Sequence, residues 1–278
     1  MIRPVDKIGE EMVTHILQAK QVEMLRELKR IFKKHNIQFF LACGTALGCA
    51  RHGGFIPWDD DVDIYVFGSD YERIKKAIND ENGTNLKFQD FTTDSRYPYW
   101  FPKVIASDTV LVEEALGSNG YSCGVYIDIF PLFGVPNNNL TRKFKETIRY
   151  IRYASIRAYY SDSFSSGYRK IIQCLTRLFV NPNCIQDRLK KTYLTPIGDS
   201  RFVIDPGVFH NDALLIAESF KQIVFMEFEG EMMPMPAGYH QYLSDYYGDY
   251  MKLPPIDQRV SRHHIGKLEI PGVSELEE

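Results

Sequence analysis

An acidic cluster stands directly before an apolar run in the segment GFIPWDDDVDIYVF, residues 54–67. The apolar half is rich in β-branched and aromatic residues, which predicts a buried strand. Asp61 and Asp63 are two positions apart, so on a strand their side chains lie on one face, about 6.6 Å apart along the chain. Val62 and Ile64 would then point to the opposite face, toward a core. The segment therefore predicts a strand with one apolar face and one acidic face.

The acidic face predicts a metal site. Two carboxylates held this close repel each other, and one tends to stay protonated unless a cation lies between them. Mg²⁺ prefers hard oxygen ligands and is typically shared with substrate phosphates. A third carboxylate is available in VYIDIFPL, where Asp128 stands alone among apolar neighbours. We predict that Asp61, Asp63 and Asp128 hold Mg²⁺ or Mn²⁺. A structural hydrogen-bond network is the alternative for Asp128, since an unpaired buried carboxylate costs several kcal/mol.

A phosphate-binding turn is predicted beside this strand. Gly44 and Thr45 follow the predicted strand NIQFFLAC and begin a turn into a short helix over residues 46–51. The first N–H groups of a helix have no partner within the helix, and with a threonine hydroxyl they can hold phosphate oxygens. The turn and the acidic strand together predict one site that handles a metal ion and a phosphate.

Other interpretations of the aspartates stay open. Four of them fall at positions 1, 3, 5 and 12 of an EF-hand-like spacing: Asp59, Asp61, Asp63 and Asp70. However, Ile64 occupies position 6, where that calcium loop requires glycine. A D-x-D pattern also occurs in metal-dependent glycosyltransferases that use sugar nucleotides. A binding module with a degenerate site is a further alternative, and the three intact acidic positions argue against it.

Length and composition exclude several classes of protein. The 278 residues are 44% hydrophobic and suffice for one large domain or two small ones. A net charge of −3 argues against a nucleic-acid partner, and the apolar stretches are far shorter than the ~20 residues that span a bilayer. The opening MIRPVDKIGEEMV lacks the apolar core of a signal peptide. Five cysteines without a C-x-x-C pair indicate neither a zinc site nor a disulfide framework, so we expect a cytoplasmic protein.

The order of helical and strand patterns predicts an α/β (α+β) fold over the first 135 residues. Val22, Leu25, Leu28 and Phe32 have helical spacing within a helix over residues 16–35. Further strands are predicted in LKFQDFT, YWFPKVIAS, TVLVEE and VYIDIFPL, and later in QIVFMEFEG. A helix over residues 70–79 is predicted to begin at a capping box formed by Ser69 and Glu72, and a late one, YHQYLSDYYG, to end at Gly248.

The middle of the chain is helical and basic. Long helices are predicted over residues 140–160 and 168–180. Between residues 141 and 191, twelve Lys and Arg stand against three Asp and Glu, a local net charge of +9, so the rest of the chain carries −12. One interpretation is a set of solvated helix faces. The other is a basic surface for an anionic acceptor or an anionic membrane leaflet.

The motif CGTALGCARHGGFIPWDDDVDI, residues 43–64, resembles the signature of the LicD family of phosphocholine transferases, relatives of the fukutin-type phosphotransferases. Three more stretches resemble the family in the same order: YPYWFPKV, VYIDIFPL, and YLSDYYGDYMKLPP with RHH. The resemblance runs from about residue 16 to residue 264 and is weakest over residues 137–200.

This resemblance implies a single catalytic domain over residues 1–278 with a nucleotidyltransferase-like fold, a mixed sheet flanked by helices with a helical, basic insertion at about 137–200. It also implies transfer of a phospho-alcohol, most commonly phosphocholine from CDP-choline, to a hydroxyl of a cell-surface glycan precursor such as teichoic acid, lipopolysaccharide or a capsule repeat. Transfer of ribitol-, glycerol- or ethanolamine-phosphate stays an alternative. Such an enzyme would work in the cytoplasm, at the inner face of the cell membrane if the basic helices touch it.

The resemblance also assigns roles to individual residues. Asp61 and Asp63 match the metal-binding pair, Asp128 the third acidic position, and Asp59 a further acidic position that contacts substrate or supports the site. Asp128 would also accept the proton of the attacking hydroxyl. Five other residues are expected to contact the donor: Gly44 and Thr45 cradle phosphate, Arg51 and Lys103 neutralise charge, and His52 bonds phosphate or caps the turn. Trp58 and the aromatic residues of 97–100 would either box a quaternary ammonium group or pack in the core.

Overall fold

The computed structural model of the chain describes residues 7–113, 121, 123–160, 168–207, 214–261 and 265–271. Its α-helices are α1 Lys7–Lys34, α2 Cys43–His52, α3 Tyr71–Asn79, α4 Asn139–Tyr160, α5 Tyr168–Phe179, α6 Pro182–Tyr193 and α7 Tyr239–Tyr247. Its strands are β1 Phe39–Leu41, β2 Asp63–Phe67, β3 Leu86–Gln89, β4 Lys103–Ala106, β5 Val110–Glu113, β6 Tyr126–Gly134, β7 Phe202–Ile204, β8 Leu214–Ile216, β9 Ile223–Phe228, β10 Glu231–Pro236 and β11 Ile265–Glu269. Short 3₁₀ turns cover Gly68–Asp70, Ala217–Phe220 and Ile256–Gln258.

A seven-stranded mixed sheet forms the centre of the fold. Its main path runs β1-β2-β6-β4-β3, with β7 beside β6 and β8 beside β7. The pair β2–β6 is parallel and the other pairs are antiparallel. Two separate antiparallel pairs, β9–β10 and β5–β11, complete the strands. A mixed sheet flanked by helices confirms the predicted fold class.

Strand β6 positions the acidic residues. All nine of its residues are buried, which explains why VYIDIFPL is almost wholly apolar. Asp128 on β6 stands directly opposite Asp63 on β2 and opposite Lys103 on β4. Residues paired in register share a face of the sheet, so these three side chains form one row across β2, β6 and β4.

Most predicted elements overlap observed ones, but α1 begins at Lys7, nine residues before the predicted start, and strands β7, β8, β10 and β11 were not predicted. Two further differences concern the starts of α3 and α6. The capping box of Ser69 and Glu72 does not form: Ser69 lies in the 3₁₀ turn, and Asp70, the residue before α3, pairs with Arg73 instead. Helix α6 lies within the predicted helical region of about 137–200 but was not predicted as a separate helix, although its start carries clear signals. Asn181 accepts a hydrogen bond from the Cys184 N–H at its N-terminus, and Pro182 occupies the first turn.

The helices α4, α5 and α6 form a layer at one side of the sheet. Arg149, Tyr153 and Ile156 lie on the buried face of α4, where the Tyr153 ring stacks on Trp100 at 4.9 Å between centroids. Among the described residues, no helix combines the length and the apolar character that a membrane span requires.

Candidate active site

Lys103 and Asp128 form a buried ion pair at the centre of the acidic row. The Lys103 Nζ lies 2.6 Å from Asp128 Oδ1, and both side chains are buried. The ammonium also lies 3.3 Å from the centroid of the Tyr126 ring and 4.1 Å from that of Tyr99. Burial opposes the charge on Lys103, but the carboxylates of Asp128 and Glu113 outweigh it and raise the pKa of the ammonium. Lys103 therefore holds Asp128 in place.

This position of Lys103 differs from the predicted one. The sequence predicts that Lys103 contacts the donor phosphate. In the structure Lys103 is only 1% exposed, and its ammonium contacts Asp128 and the rings of Tyr99 and Tyr126. Lys103 can neutralise charge at the site through Asp128, without touching a donor itself. The difference arises because the β4–β6 register, which sets the two residues opposite each other, is not visible in the sequence.

Asp63 is the second buried carboxylate of the row. Burial raises its pKa well above the usual value, and so do the charges of Asp61, Asp128 and Asp59. Its backbone is fixed to the start of α2, since its N–H donates to Thr45 Oγ1 at 2.9 Å. The predicted phosphate ligand Thr45 is itself buried, and its visible role is to align β2 with α2.

The loop before β2 gathers three carboxylates. One oxygen from each of Asp59, Asp60 and Asp61 lies within 4.8 Å of the others. Strand β2 begins at Asp63, so Asp61 belongs to this loop, and the strand alternation predicted for Asp61 and Asp63 is wrong at Asp61. Asp60, to which the sequence assigns no role, is buried and accepts a hydrogen bond from the Ser261 hydroxyl.

Two glutamine side chains of α1 donate hydrogen bonds to the backbone of the acidic loop. Gln18 Nε2 donates to the Asp59 carbonyl at 2.8 Å, and Gln21 Nε2 donates to the Asp60 carbonyl at 3.0 Å. Both side chains are buried although they are polar. The sequence analysis missed them, and the only signal available was their position on the otherwise apolar face of the predicted first helix.

Gly44 lets a carboxylate approach the start of α2. A Cβ atom built on Gly44 would lie 2.6 Å from Asp59 Oδ2, closer than a side chain allows. A negative charge at a helix N-terminus is stabilised by the helix dipole and by the free N–H groups there. The Asp59 carboxylate therefore lies where the sequence predicts a phosphate contact, which joins the acidic loop to the phosphate turn in one site.

Arg51 and His52 lie at the other end of α2. Seven residues of helix, about 10 Å, separate Arg51 from Gly44. The Arg51 Nη1 donates to the Tyr250 carbonyl at 2.9 Å, and its Nε donates to His52 Nε2 at 2.9 Å. Partial burial and the Arg51 charge lower the pKa of His52, which favours the neutral ring that accepts this bond. The structure does not bring either residue to the first turn of α2.

A buried hydrogen-bond network around Asp205 supports the first turn of α2. The Asp205 carboxylate accepts from the Tyr65 hydroxyl at 2.6 Å, from the Tyr246 hydroxyl at 2.9 Å and from the Gly207 N–H at 2.7 Å. The Tyr242 hydroxyl accepts from the Cys43 N–H at 2.7 Å. Cys43 has φ 45°, a left-handed conformation that a cysteine adopts only under such restraint. Sequence reasoning missed this network, although FVIDPG offers the same signal as Asp128, an aspartate after an apolar run.

The carboxylates fit a divalent cation. The donor set consists of oxygen atoms, which hard cations prefer. Asp63 is buried among like charges, a state that a cation would relieve. The oxygen atoms that lie together are those of Asp59, Asp60 and Asp61; among the described residues, the predicted set of Asp61, Asp63 and Asp128 is not gathered as closely. The residues at this end of β2 fit a divalent cation such as the predicted Mg²⁺ or Mn²⁺, and the assignment of Asp61, Asp63 and Asp128 as its ligands stays a prediction.

Residues 36–162 match the family model described as LicD/FKTN/FKRP, nucleotidyltransferase domain. This part of the chain, just under half of its length, is thus similar to a LicD-type nucleotidyltransferase domain. It is 27% identical to the lipopolysaccharide cholinephosphotransferase LicD of Haemophilus influenzae over 247 residues, 84% of this chain and 89% of that protein. It is also 26% identical to the ribitol 5-phosphate transferase FKRP of Mus musculus and of Homo sapiens over 121 residues, which cover 44% of this chain but only 22% and 21% of those proteins.

The LicD-type domain includes the acidic row but not all of its support. Asp63, Lys103 and Asp128 lie within the matched range, whereas Gln18 of α1 and Asp205 lie outside it. Segments on both sides of the matched range therefore support the candidate site.

The predicted aromatic box for a quaternary ammonium group is largely used for packing. The Trp100 Nε1–H donates to the Pro206 carbonyl at 2.7 Å and its ring stacks on Tyr153. The Tyr99 ring faces the ammonium of Lys103. Trp58 lies near the Arg259 guanidinium, 5.6 Å from it. Of these aromatic residues, Trp58 is the one next to the acidic loop.

Proposed function

We propose that the chain transfers a phospho-alcohol from a CDP-activated donor to a hydroxyl of a cell-surface glycan precursor, with CDP-choline as the first donor to test. The observation that carries this proposal is the row of Asp63, Asp128 and Lys103 beside the acidic loop and the start of α2. Its support is the similarity to LicD over most of the chain.

In the proposed reaction, a hydroxyl oxygen of the acceptor forms a bond to the distal phosphorus of the donor, and the bond from that phosphorus to CMP breaks. A divalent cation held by Asp61, Asp63 and Asp128 would supply charge neutralisation for the diphosphate. Asp128 takes the proton of the attacking hydroxyl, and the Lys103 ammonium, 2.6 Å from Oδ1, holds this carboxylate in position. Gly44 and its neighbours in the first turn of α2 offer backbone N–H groups to phosphate oxygens.

The roles of Arg51 and His52 become secondary in this proposal. Their hydrogen bonds tie the end of α2 to the segment around Tyr250. We propose that they stabilise this segment, which follows α7. Helix α7, which precedes this segment, carries Tyr242 and Tyr246 and so contributes to the Asp205 network.

A second donor class has specific support. The similarity to FKRP, which is named a ribitol 5-phosphate transferase, favours CDP-ribitol as the next donor to test. CDP-glycerol and CDP-ethanolamine carry the same diphosphate and are tested with it. A sugar-nucleotide donor remains the alternative from a different class of enzyme. We propose a cytoplasmic location, which agrees with five cysteines that are all free thiols.

A donor panel tests the proposal. The purified chain is incubated with CDP-choline, CDP-ribitol, CDP-glycerol, CDP-ethanolamine or UDP-sugars, with Mg²⁺ or Mn²⁺ or with a chelator. We expect one CDP-alcohol plus the cation to raise the melting temperature, and CMP to be released once a glycan acceptor is added. Stabilisation and turnover by a UDP-sugar, with no response to any CDP-alcohol, would show that the chain is a glycosyltransferase instead.

A further inference from the structure

Helix α5 carries an apolar stripe that faces away from the protein. Its four large residues lie at positions i, i+4, i+7 and i+8 of the helix, which places them on one face. They are Ile171, Leu175, Leu178 and Phe179, with exposed fractions of 62%, 49%, 76% and 81%. The opposite face contacts the protein through Gln173, which is buried. Exposure of this many large apolar side chains on one helix is unusual for a surface in water.

Helix α4 repeats the arrangement. Leu140, Phe144 and Ile151 lie at i, i+4 and i+11 and are exposed by 81%, 68% and 56%. The core face of the same helix, with Arg149 and Tyr153, lies on the other side. The exposed stripe is therefore a second apolar face in addition to the one that packs on the sheet.

Basic side chains accompany both stripes. The segment 141–191 carries +9 in a chain whose net charge is −3. Exposed basic residues also lie on the two helices: Lys143, Lys145, Arg157, Lys170 and Arg177. A helix with large exposed apolar residues and Lys or Arg at its sides is typical of helices that lie in the interface of an anionic membrane.

We propose that α4 and α5 dock the chain on the surface of an anionic membrane, with the two apolar stripes in the boundary between headgroups and acyl chains. The occupant follows from charge: anionic headgroups complement the basic residues, and acyl chains accept the leucines and phenylalanines. The contact is peripheral, since no helix in the described ranges is suited to span a bilayer. The proposal goes beyond phospho-alcohol transfer, and its test needs neither donor nor acceptor.

Vesicle binding tests the proposal. The full chain is sedimented with vesicles of equal parts phosphatidylglycerol and phosphatidylcholine, and with vesicles of phosphatidylcholine alone. We expect binding to the first and a large loss of binding to the second and at high salt. The double variant Leu178→Ser with Phe179→Ser should lower the partition coefficient by about tenfold or more, since these side chains lose their transfer into the acyl region.

A matched control lies on the β9–β10 hairpin, where Phe225 and Met232 are exposed by 56% and 51%. Phe225→Ser with Met232→Ser should leave vesicle binding unchanged. The proposal is overturned if the unmodified chain fails to bind anionic vesicles, or if both double variants bind equally well. It is also overturned if size-exclusion chromatography shows a dimer that Leu178→Ser with Phe179→Ser converts to monomer, because the stripe would then be an interface between two copies.

Discussion

Asp205 and Asp63 are both buried carboxylates near the start of α2, but their surroundings are opposite. Asp205 accepts hydrogen bonds from two tyrosines and a backbone N–H, all at 2.9 Å or less. Asp63 is surrounded by the charges of Asp61, Asp128 and Asp59. The fold thus supplies donors to one buried aspartate and further carboxylates to the other.

This difference separates structural acids from functional ones. A buried carboxylate that serves the fold is satisfied by the protein itself. A group of buried carboxylates that repel one another lowers stability unless a cation joins them, and such groups are typical of functional sites. Asp128 is intermediate, since Lys103 balances its charge while Asp63 stands opposite it.

The largest effect is expected for transfer activity in Asp61→Asn and Asp63→Asn. Each substitution keeps the shape of the side chain but removes a charge that we propose to hold the cation, so the transfer rate should fall by about 10²–10³-fold or more. CMP release with the donor found in the panel measures this. Asp80→Asn, which changes an exposed aspartate paired with Lys76, serves as the control. Cation-dependent transfer retained in both site variants would refute the assignment.

Lys103→Met tests the intermediate position of Asp128. Removing the ammonium leaves Asp128 buried without its partner, and the free energy of unfolding should fall by about 3 kcal/mol. Denaturant unfolding measures the change. Lys76→Met breaks an ion pair whose lysine is exposed, and the loss of stability should be much smaller because solvent screens such a pair. Equal losses in both variants would mean that Lys103 is not the partner that Asp128 depends on.

Asp205→Asn and Asp63→Asn should shift stability in opposite directions. In Asp205→Asn, the NH₂ group of the amide cannot accept the hydrogen bonds that one carboxylate oxygen accepts now. We expect the free energy of unfolding to fall by about 2 kcal/mol. Burial raises the pKa of both carboxyls, but hydrogen-bond donors oppose this effect at Asp205, whereas neighbouring carboxylates add to it at Asp63. In a chelator, Asp63→Asn should therefore raise the melting temperature, because the ionised form of Asp63 destabilises the fold at neutral pH.

The raised pKa of Asp63 also predicts how the stability of the chain depends on pH. For the chain in chelator, stability should rise as the pH falls from neutral through the raised pKa of Asp63, where the carboxyl takes up a proton. Asp63→Asn should reduce this rise, while Asp205, whose pKa is also raised by burial, keeps its own part of it; thermal melts across a pH series measure the difference. If Asp63→Asn lowers the melting temperature as Asp205→Asn does, then the contrast between the two carboxylates is not real.

Gly44→Ala should give the smallest effect. The new Cβ would displace Asp59, whose oxygen lies 2.6 Å from that position, so the Mg²⁺ concentration needed for half-maximal stabilisation should rise about tenfold. Stability in chelator should not fall, since alanine favours a helix over glycine by about 1 kcal/mol. Gly48→Ala on the same helix meets the Gly54 carbonyl at 2.5 Å and should lower stability instead. If Gly44→Ala needs the same Mg²⁺ concentration as the unmodified chain, the position of Asp59 does not affect cation binding.

The local pattern of the sequence predicted the strands that carry Asp63 and Asp128. Both strands show β-branched and aromatic residues around a single acidic residue, and this pattern depends only on near neighbours in the chain. The start of β2 was misplaced by two residues because the run of aspartates has no signal that separates loop from strand. The roles of the metal ligands and the extent of the catalytic domain stay predictions.

The supporting contacts could not be predicted, because they depend on register between distant segments. The Lys103–Asp128 pair follows from the alignment of β4 with β6. The bond from Asp63 to Thr45 follows from the packing of α2 on β2. From the sequence alone, Lys103 was predicted to contact phosphate. The β4–β6 register shows instead that it forms an ion pair with Asp128.

The Asp205 network also determines when the site can exist. Along the chain, 140 residues separate Tyr65 from Asp205 and 199 separate Cys43 from Tyr242. A growing chain that ends before residue 205 already contains the acidic loop but not the groups that restrain α2. Contacts between such distant segments form slowly. The carboxylates of the acidic loop, β2 and β6 all precede this point, but the groups that restrain the first turn of α2 reach it only when the last quarter of the chain has folded.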